Sequence, residues 1–163
     1  MPTNSNRISI EAFGLRLGFL AGLTTRPEVV GWADSLIMQE EDLPFEIFDI
    51  SHSGSKSEKE VVLLLSDIYE SCRTGQLHEE GFRFFCANLR VKVLGGSLEH
   101  AIAADALYQV AFMSGLSFSD SIQQFCLWAS DEFNLVEMKV KDEGKAKQSF
   151  NEQLDIIVLN PEA

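Results

Sequence analysis

Two of the three histidines stand beside a carboxylate, and such pairs are the first candidates for metal binding or general-base catalysis. His78 precedes Glu79, His100 follows Glu99, and His52 lies in a loop containing Ser and Gly. Adjacent helical residues point about 100° apart, so neither pair converges on one ion. No HExxH or CxxC spacing occurs. The sequence therefore predicts surface or capping roles for the histidines, and no catalytic residue, metal or cofactor.

Cys86 is a candidate nucleophile, because Arg83 and Arg90 lie three residues before it and four residues after it, where positive charge would lower a thiol pKa. Phe82 and Leu89 share its face, which favours a buried, inert thiol instead. The chain has three cysteines, an odd number at wide spacing. They are interpreted as small apolar residues of a protein in the reducing cytoplasm.

A run of acids without a positive charge occupies the stretch EVVGWADSLIMQEEDLPFEIFDIS, residues 28–51. Three of the acids follow the predicted second helix, at the end where the macrodipole is already negative, and two more are i, i+3 neighbours on the next short helix. Asp42 can also serve as the N-cap of that next helix. Acids placed against the dipole suggest a use outside folding. The alternative is a solvated face that only keeps the protein soluble. The predicted partner-binding residues are Glu40, Glu41, Asp42, Glu46 and Asp49.

The charge of the whole chain points to the same kind of partner. Thirteen Lys and Arg stand against 25 Asp and Glu, a formal net charge of −12. Such a field repels nucleic acid and anionic membrane, and it accelerates encounter with a basic protein. The apolar segment FGLRLGFLAGL could be mistaken for a targeting signal, but Glu11 and Arg16 interrupt that region. We therefore predict a cytoplasmic protein that binds a basic protein, with no nucleic-acid or membrane partner.

Apolar spacing is mostly helical and strand alternation is scarce, which predicts an all-α, single-domain bundle of about six to seven helices. Ser9 is the predicted cap of the first helix and Ser97 that of the helix over 98–113. Ser57 and Glu60 have the spacing of a capping box. Trp32 and Leu20 are predicted to face the core. Five residues of the helix over 77–94 are also predicted to face inward: Phe82, Phe85, Cys86, Leu89 and Val93. The predicted helices cover residues 9–23, 27–39, 44 onward, 57 onward, 77–94, 98–113 and 119 onward.

The domain prediction places the bundle in residues 1–137 and a charged C-terminal extension in residues 138–163. Residues 138–148, MKVKDEGKAKQ, have the composition of a linker or a frayed helix end. The apolar patch LDIIVL at 154–159 fits either a docking helix or a short strand, because periodicity cannot separate the two at that length.

The order of several motifs resembles a pattern of small helical bacterial proteins, some of them similar to immunity proteins of toxin systems. These motifs are Trp32-Ala33-Asp34, Leu36-Ile37, Pro44 and Asp49-Ile50-Ser51. The resemblance covers about residues 20–68 and adds support for an immunity-type protein. Together with the acidic patch and the absence of catalytic motifs, it gives the leading hypothesis, a non-enzymatic inhibitor that occludes a cognate basic toxin.

A cytoplasmic chaperone or adaptor is the alternative. The twelve phenylalanines exceed what a polar-faced bundle needs, and an aromatic groove could hold an apolar segment of a partner protein. Salt separates the two hypotheses, because electrostatic steering is screened whereas apolar contact is not.

Overall fold

The computed structural model describes residues 4–70 and 77–159, and within those ranges the regular structure is entirely helical. The predicted all-α class is confirmed, and the eight α-helices in these ranges exceed the expected six to seven. A 3₁₀ turn at Ser53–Ser55 follows the third helix, and a π-helical turn at Gln109–Met113 follows the sixth. The helices are α1 Asn4–Leu20, α2 Arg26–Gln39, α3 Phe45–Ser51, α4 Glu58–Glu70, α5 Leu77–Leu94, α6 His100–Tyr108, α7 Asp120–Glu137 and α8 Glu143–Leu159.

Backbone contacts divide the chain into two compact units, residues 1–82 and 83–163. In the first unit α1 packs on α4, and α3 packs on both α2 and α4. In the second unit α6 and α8 each pack on α7. Helix α5 contributes residues to both units. Five residues of α5 that were predicted to face a core are all buried: Phe82, Phe85, Cys86, Leu89 and Val93.

Capping boxes start two helices of the first unit. The predicted pair is present: the Ser57 N–H donates to Glu60 Oε2 at 2.6 Å, and the Glu60 N–H donates to Ser57 Oγ at 3.3 Å. These bonds from Ser57 hold the pKa of Glu60 below its usual value. Thr25 and Glu28 make the same arrangement at the start of α2, and Thr25 lies two residues before the predicted start of that helix. In both cases the motif satisfies N–H groups that have no partner within the helix.

Two serines predicted to start helices have other roles. Ser9 lies inside α1, where its buried hydroxyl is within hydrogen-bond distance of the Ser5 and Ile68 carbonyls. Ser97 does not cap α6, which starts after Glu99. The Ser97 hydroxyl instead donates to the Lys92 carbonyl at 3.2 Å. A serine near a helix end can serve the helix on either side, and here it serves α5.

Two side chains predicted to face the core of the first unit are not fully buried. Leu20, expected on the inner stripe of α1, is exposed. Trp32 is half-buried, and its indole N–H donates to Glu11 Oε2 at 2.7 Å. A fully buried indole needs an acceptor. Partial exposure lets Trp32 reach a carboxylate on α1 while its neighbour Ala33 is buried.

The C-terminal segment is largely helical. Residues 143–148 of the predicted linker belong to α8, whose first turn is held by a bond from the Lys145 N–H to Asp142 Oδ1 at 2.9 Å. The patch at 154–159 continues the same helix, so the strand alternative is wrong. Phe150 and Leu154 are buried, and Phe150 packs edge-on against Phe133 of α7 with ring centroids 5.7 Å apart.

Candidate partner-binding surface of the first unit

Helix α3 buries one side and exposes two aromatic rings on the other. Ile47 and Ile50 are fully buried, because α3 packs on both α2 and α4. Phe45 is 72% exposed and Phe48 is 42% exposed. The two phenylalanines are i, i+3 neighbours, so their side chains lie on one stripe of the helix. An adjacent pair of exposed aromatics is an apolar patch rather than an isolated surface residue.

Four of the five predicted acids lie on α3 or in the connection just before it. Glu41 and Asp42 are exposed, and Glu46 and Asp49 are half-buried. Within the described ranges none of these four carboxylates makes a hydrogen bond or an ion pair. Asp42 was also predicted to cap α3, and that expectation is wrong because the N-cap residue is Pro44. The four carboxylates are therefore available to a partner.

Glu40 differs from the other four acids because it is engaged within the unit. Arg7 Nη2 donates to Glu40 Oε1 at 3.0 Å, and the Glu40 side chain is only 18% exposed. Arg7 Nε also lies 3.7 Å from Glu11 Oε1, and Glu11 accepts the indole N–H of Trp32. This network joins α1 to α2 and neutralises Glu40. The acids that a partner could use are Glu41, Asp42, Glu46 and Asp49.

The connection between α2 and α3 forms one wall of an open cavity of about 740 Å³. Residues 39–44 line it together with Ser5 and Ile8 of α1. Glu41 and Asp42 both belong to this lining, and the polar wall is acidic. A cavity with an acidic polar wall suits a cationic side chain better than an apolar or anionic ligand.

The position of α3 is fixed by hydrogen bonds at its C-terminal end. The Ser51 hydroxyl donates to the Asp34 carboxylate of α2. Arg26 Nη1 donates to the carbonyls of Ser53 and Gly54 at 3.2 and 3.3 Å. With Ile47 and Ile50 buried, these bonds hold the exposed face of α3 in one orientation. Such preorganisation lowers the entropy cost of binding.

The histidines of the described ranges have structural partners. His52 Nδ1 lies 2.9 Å from the Phe48 carbonyl at the end of α3. His78 stacks on Phe13 at 4.9 Å. His100 Nε2 lies 3.0 Å from Asn151 Oδ1. No group of three or more His, Cys, Asp or Glu side chains in these ranges is placed to hold a metal ion.

Two cysteines of the second unit are buried thiols. Burial raises the pKa of Cys86 well above its usual value, and the neighbouring Cys126 raises it further. Burial also raises the pKa of Cys126 to about 12. These shifts are opposite to what a nucleophilic thiol requires. Cys72, the third cysteine, lies outside the described residues.

Sequence reasoning did not single out Phe45 and Phe48, the aromatic part of this surface. Their signal was nevertheless present in PFEIFDI. Ile47 and Ile50 repeat at i, i+3 on one side, and Phe45 and Phe48 repeat at the same interval on the other. Two apolar stripes on a helix of seven residues cannot both face one core. Met38 at the end of α2 is another exposed apolar side chain.

Comparison with known proteins gives no assignment: no family model, no curated protein and no solved structure matches the chain. In the described ranges, every helix is too short or too polar to cross a membrane.

Proposed function

We propose that the protein is an immunity-type inhibitor that binds a basic partner protein, a toxin or effector, through the surface around α3. Binding would occlude the active cleft or substrate-binding surface of that partner. One observation carries the proposal: α3 is held in place with two exposed phenylalanines, and four carboxylates that have no partner in the described ranges lie on α3 or just before it. Acids bring a basic partner to the surface quickly, and aromatic side chains supply contact area that excludes water. The net charge of −12 adds long-range attraction to the same kind of partner.

The test compares two variants with equal change in charge. The site variant neutralises Glu41, Glu46 and Asp49, as Glu41→Gln, Glu46→Gln and Asp49→Asn. The control neutralises three exposed acids of α4, as Glu58→Gln, Asp67→Asn and Glu70→Gln. Both remove three negative charges, so an effect of net charge alone is the same in each.

Proteins retained by the immobilised wild-type chain from an extract of its own cells are identified, purified and assayed for activity. We expect a basic protein whose activity is inhibited by an equimolar amount of wild type. The site variant should associate several-fold more slowly at low salt, with a smaller difference at high salt, because screening suppresses steering. The control variant should resemble the wild type. An uninhibited partner, or equal effects of the two variants, would contradict the proposal.

The chaperone or adaptor alternative is favoured by the same exposed aromatics, since Phe45 and Phe48 could hold an apolar segment without help from charge. It predicts binding that changes little between low and high salt. It also predicts a partner that is bound but not inhibited.

A further inference from the structure

Helix α3 carries two parallel rows on its outward side. With about 100° per residue, Phe45 and Phe48 form one row, and Glu46 and Asp49 form a second row centred about 100° around the helix from the first. Ile47 and Ile50 occupy the inward side and are fully buried. Aromatic and carboxylate groups are therefore separated laterally, and a partner that covers α3 meets an apolar row beside an anionic row.

Neither row has a counterpart in the described part of the unit. The carboxylates of Glu46 and Asp49 have no ion pair or hydrogen bond in the described ranges, and residues 27–55 contain no Lys or Arg. Phe45 and Phe48 leave apolar surface exposed to water. Because α3 holds them in place, only another molecule could cover that surface. The complement of this face has apolar side chains in one row and Lys or Arg side chains in the next.

The spacing of these residues along the α3 axis indicates which secondary structure the partner segment has. Residues three apart on α3 are separated by about 4.5 Å along the helix. A second helix presents apolar residues at i, i+3 and i+4 with a similar spacing, and its adjacent stripe can be basic. A strand places neighbours of one face about 6.6 Å apart and sends the alternate residues to the opposite face. A strand could therefore not place an apolar row and a basic row of the partner against α3 at the same time.

We propose that α3 is the docking surface for a basic amphipathic helix of the partner, with Phe45 and Phe48 against its apolar stripe and Glu46 and Asp49 against its Lys and Arg residues. This inference rests on the proposed function and gives the chemistry of the partner's docking segment. Nucleic acid and anionic lipid are unsuitable occupants, because the carboxylate row repels both.

The experiment uses the full chain and two fluorescent peptides of leucine and lysine, each about 18 residues long, or five helical turns. One peptide has the helical period, with leucines on one face. The second has the same composition in an order that leaves no apolar face. Anisotropy titrations at about 0.15 M salt compare their affinities. Phe45→Ser with Phe48→Ser removes the aromatic row, and Phe112→Ser with Met113→Ser removes a comparably exposed apolar pair in the second unit.

We expect the periodic peptide to bind the wild type about tenfold more tightly than the shuffled peptide, a difference of about 1.4 kcal/mol. The Phe45/Phe48 variant should lose that preference, and the Phe112/Met113 variant should keep it. Circular dichroism of both variants checks that the helices remain.

Equal binding of the two peptides, or an unchanged preference in the Phe45/Phe48 variant, overturns the inference. If that equal binding still falls when Glu41, Glu46 and Asp49 are neutralised, the proposed acidic binding surface survives without the helix. Binding of neither peptide also overturns the inference, and the extract experiment then decides the proposed function separately. Self-association of the wild type that the Phe45/Phe48 variant abolishes would assign the surface to a second copy of this chain and overturn the inference as well.

Discussion

Replacing Gly81 by alanine should destabilise the protein, although alanine is the better helix former. Gly81 lies in α5 against Phe13 of α1, and a Cβ atom on its backbone would stand 2.3 Å from Phe13 Cδ1 and 2.9 Å from Phe13 Cγ. Phe13 is fully buried. Its ring packs edge-on against Tyr69 with centroids 5.0 Å apart and stacks on His78 at 4.9 Å. The ring therefore has little room to move away.

The magnitude follows from two opposing contributions. Glycine to alanine inside a helix gains about 1 kcal/mol of stability, whereas overpacking a closed core costs about 1–3 kcal/mol. An ordinary contact starts near 3.4 Å, so the ring would have to shift by about 1 Å, and the upper end of that range applies. We expect Gly81→Ala to lose about 1–2 kcal/mol net. Gly31→Ala in α2 is the matched control. Its Cβ would meet nothing within 4 Å, and it should gain about 0.5–1 kcal/mol.

The assay is urea unfolding followed by circular dichroism, with the transition midpoints compared at constant slope. A third variant combines Gly81→Ala with Phe13→Leu. Its loss should be smaller than the sum of the two single losses, because the smaller side chain relieves the contact. If Gly81→Ala raised the midpoint as much as Gly31→Ala, the close approach of α5 to Phe13 would be refuted.

Three further predictions concern single features. Glu40→Gln should slow association with a basic partner less than Glu41→Gln does, because Arg7 already neutralises Glu40; equal effects in stopped-flow measurements would contradict this. Lys139 has φ of 60°, so Lys139→Gly should raise the free energy of unfolding by up to about 1 kcal/mol, and a lower urea midpoint would count against it. The raised pKa values of Cys86 and Cys126 imply stability that is fully present below the unfolded thiol pKa of about 8.5 and is lost as pH rises toward the folded values, by about 1.4 kcal/mol per pH unit for each thiol. The wild type should therefore lose more stability between pH 8 and 10 than the Cys86→Ala/Cys126→Ala variant, and equal losses would refute the burial argument.

Local patterns in the sequence were sufficient for much of the fold. Helix α5 has the predicted bounds, because apolar residues at helical intervals are followed by Gly95 and Gly96, and Gly96 adopts φ of 76°. The Ser57–Glu60 capping box involves residues three apart, so its spacing alone identifies it. The Thr25–Glu28 box has the same signature and could have been recognised in the same way.

Contacts between distant residues account for what the sequence did not reveal. Ser9 reaches the Ile68 carbonyl 59 positions along the chain, and Arg7 reaches Glu40 over 33 positions. No periodicity encodes such partners. Glu40 looked equivalent to Glu41 for that reason, although one is paired and the other is exposed. The two-sided pattern of α3 was visible, but only the packing of α2 and α4 on Ile47 and Ile50 decides which apolar stripe faces solvent.

The exposed stripe of α3 has a cost that folding alone does not explain. A phenylalanine side chain offers about 150–250 Å² of surface, so Phe45, at 72% exposure, forfeits about 3–4 kcal/mol of burial energy at 25 cal/mol per Å². A polar residue at position 45 would leave the contacts of Ile47 and Ile50 intact. It would also remove apolar area that favours aggregation. Phe45 therefore contributes little to the free protein, and burying that area in the proposed complex would recover the energy. The same reasoning applies to Glu46 and Asp49, which add repulsion without an ion pair in the part of the chain that the structure describes. Both kinds of residue would gain favourable contacts if a basic, apolar surface bound to α3, as proposed.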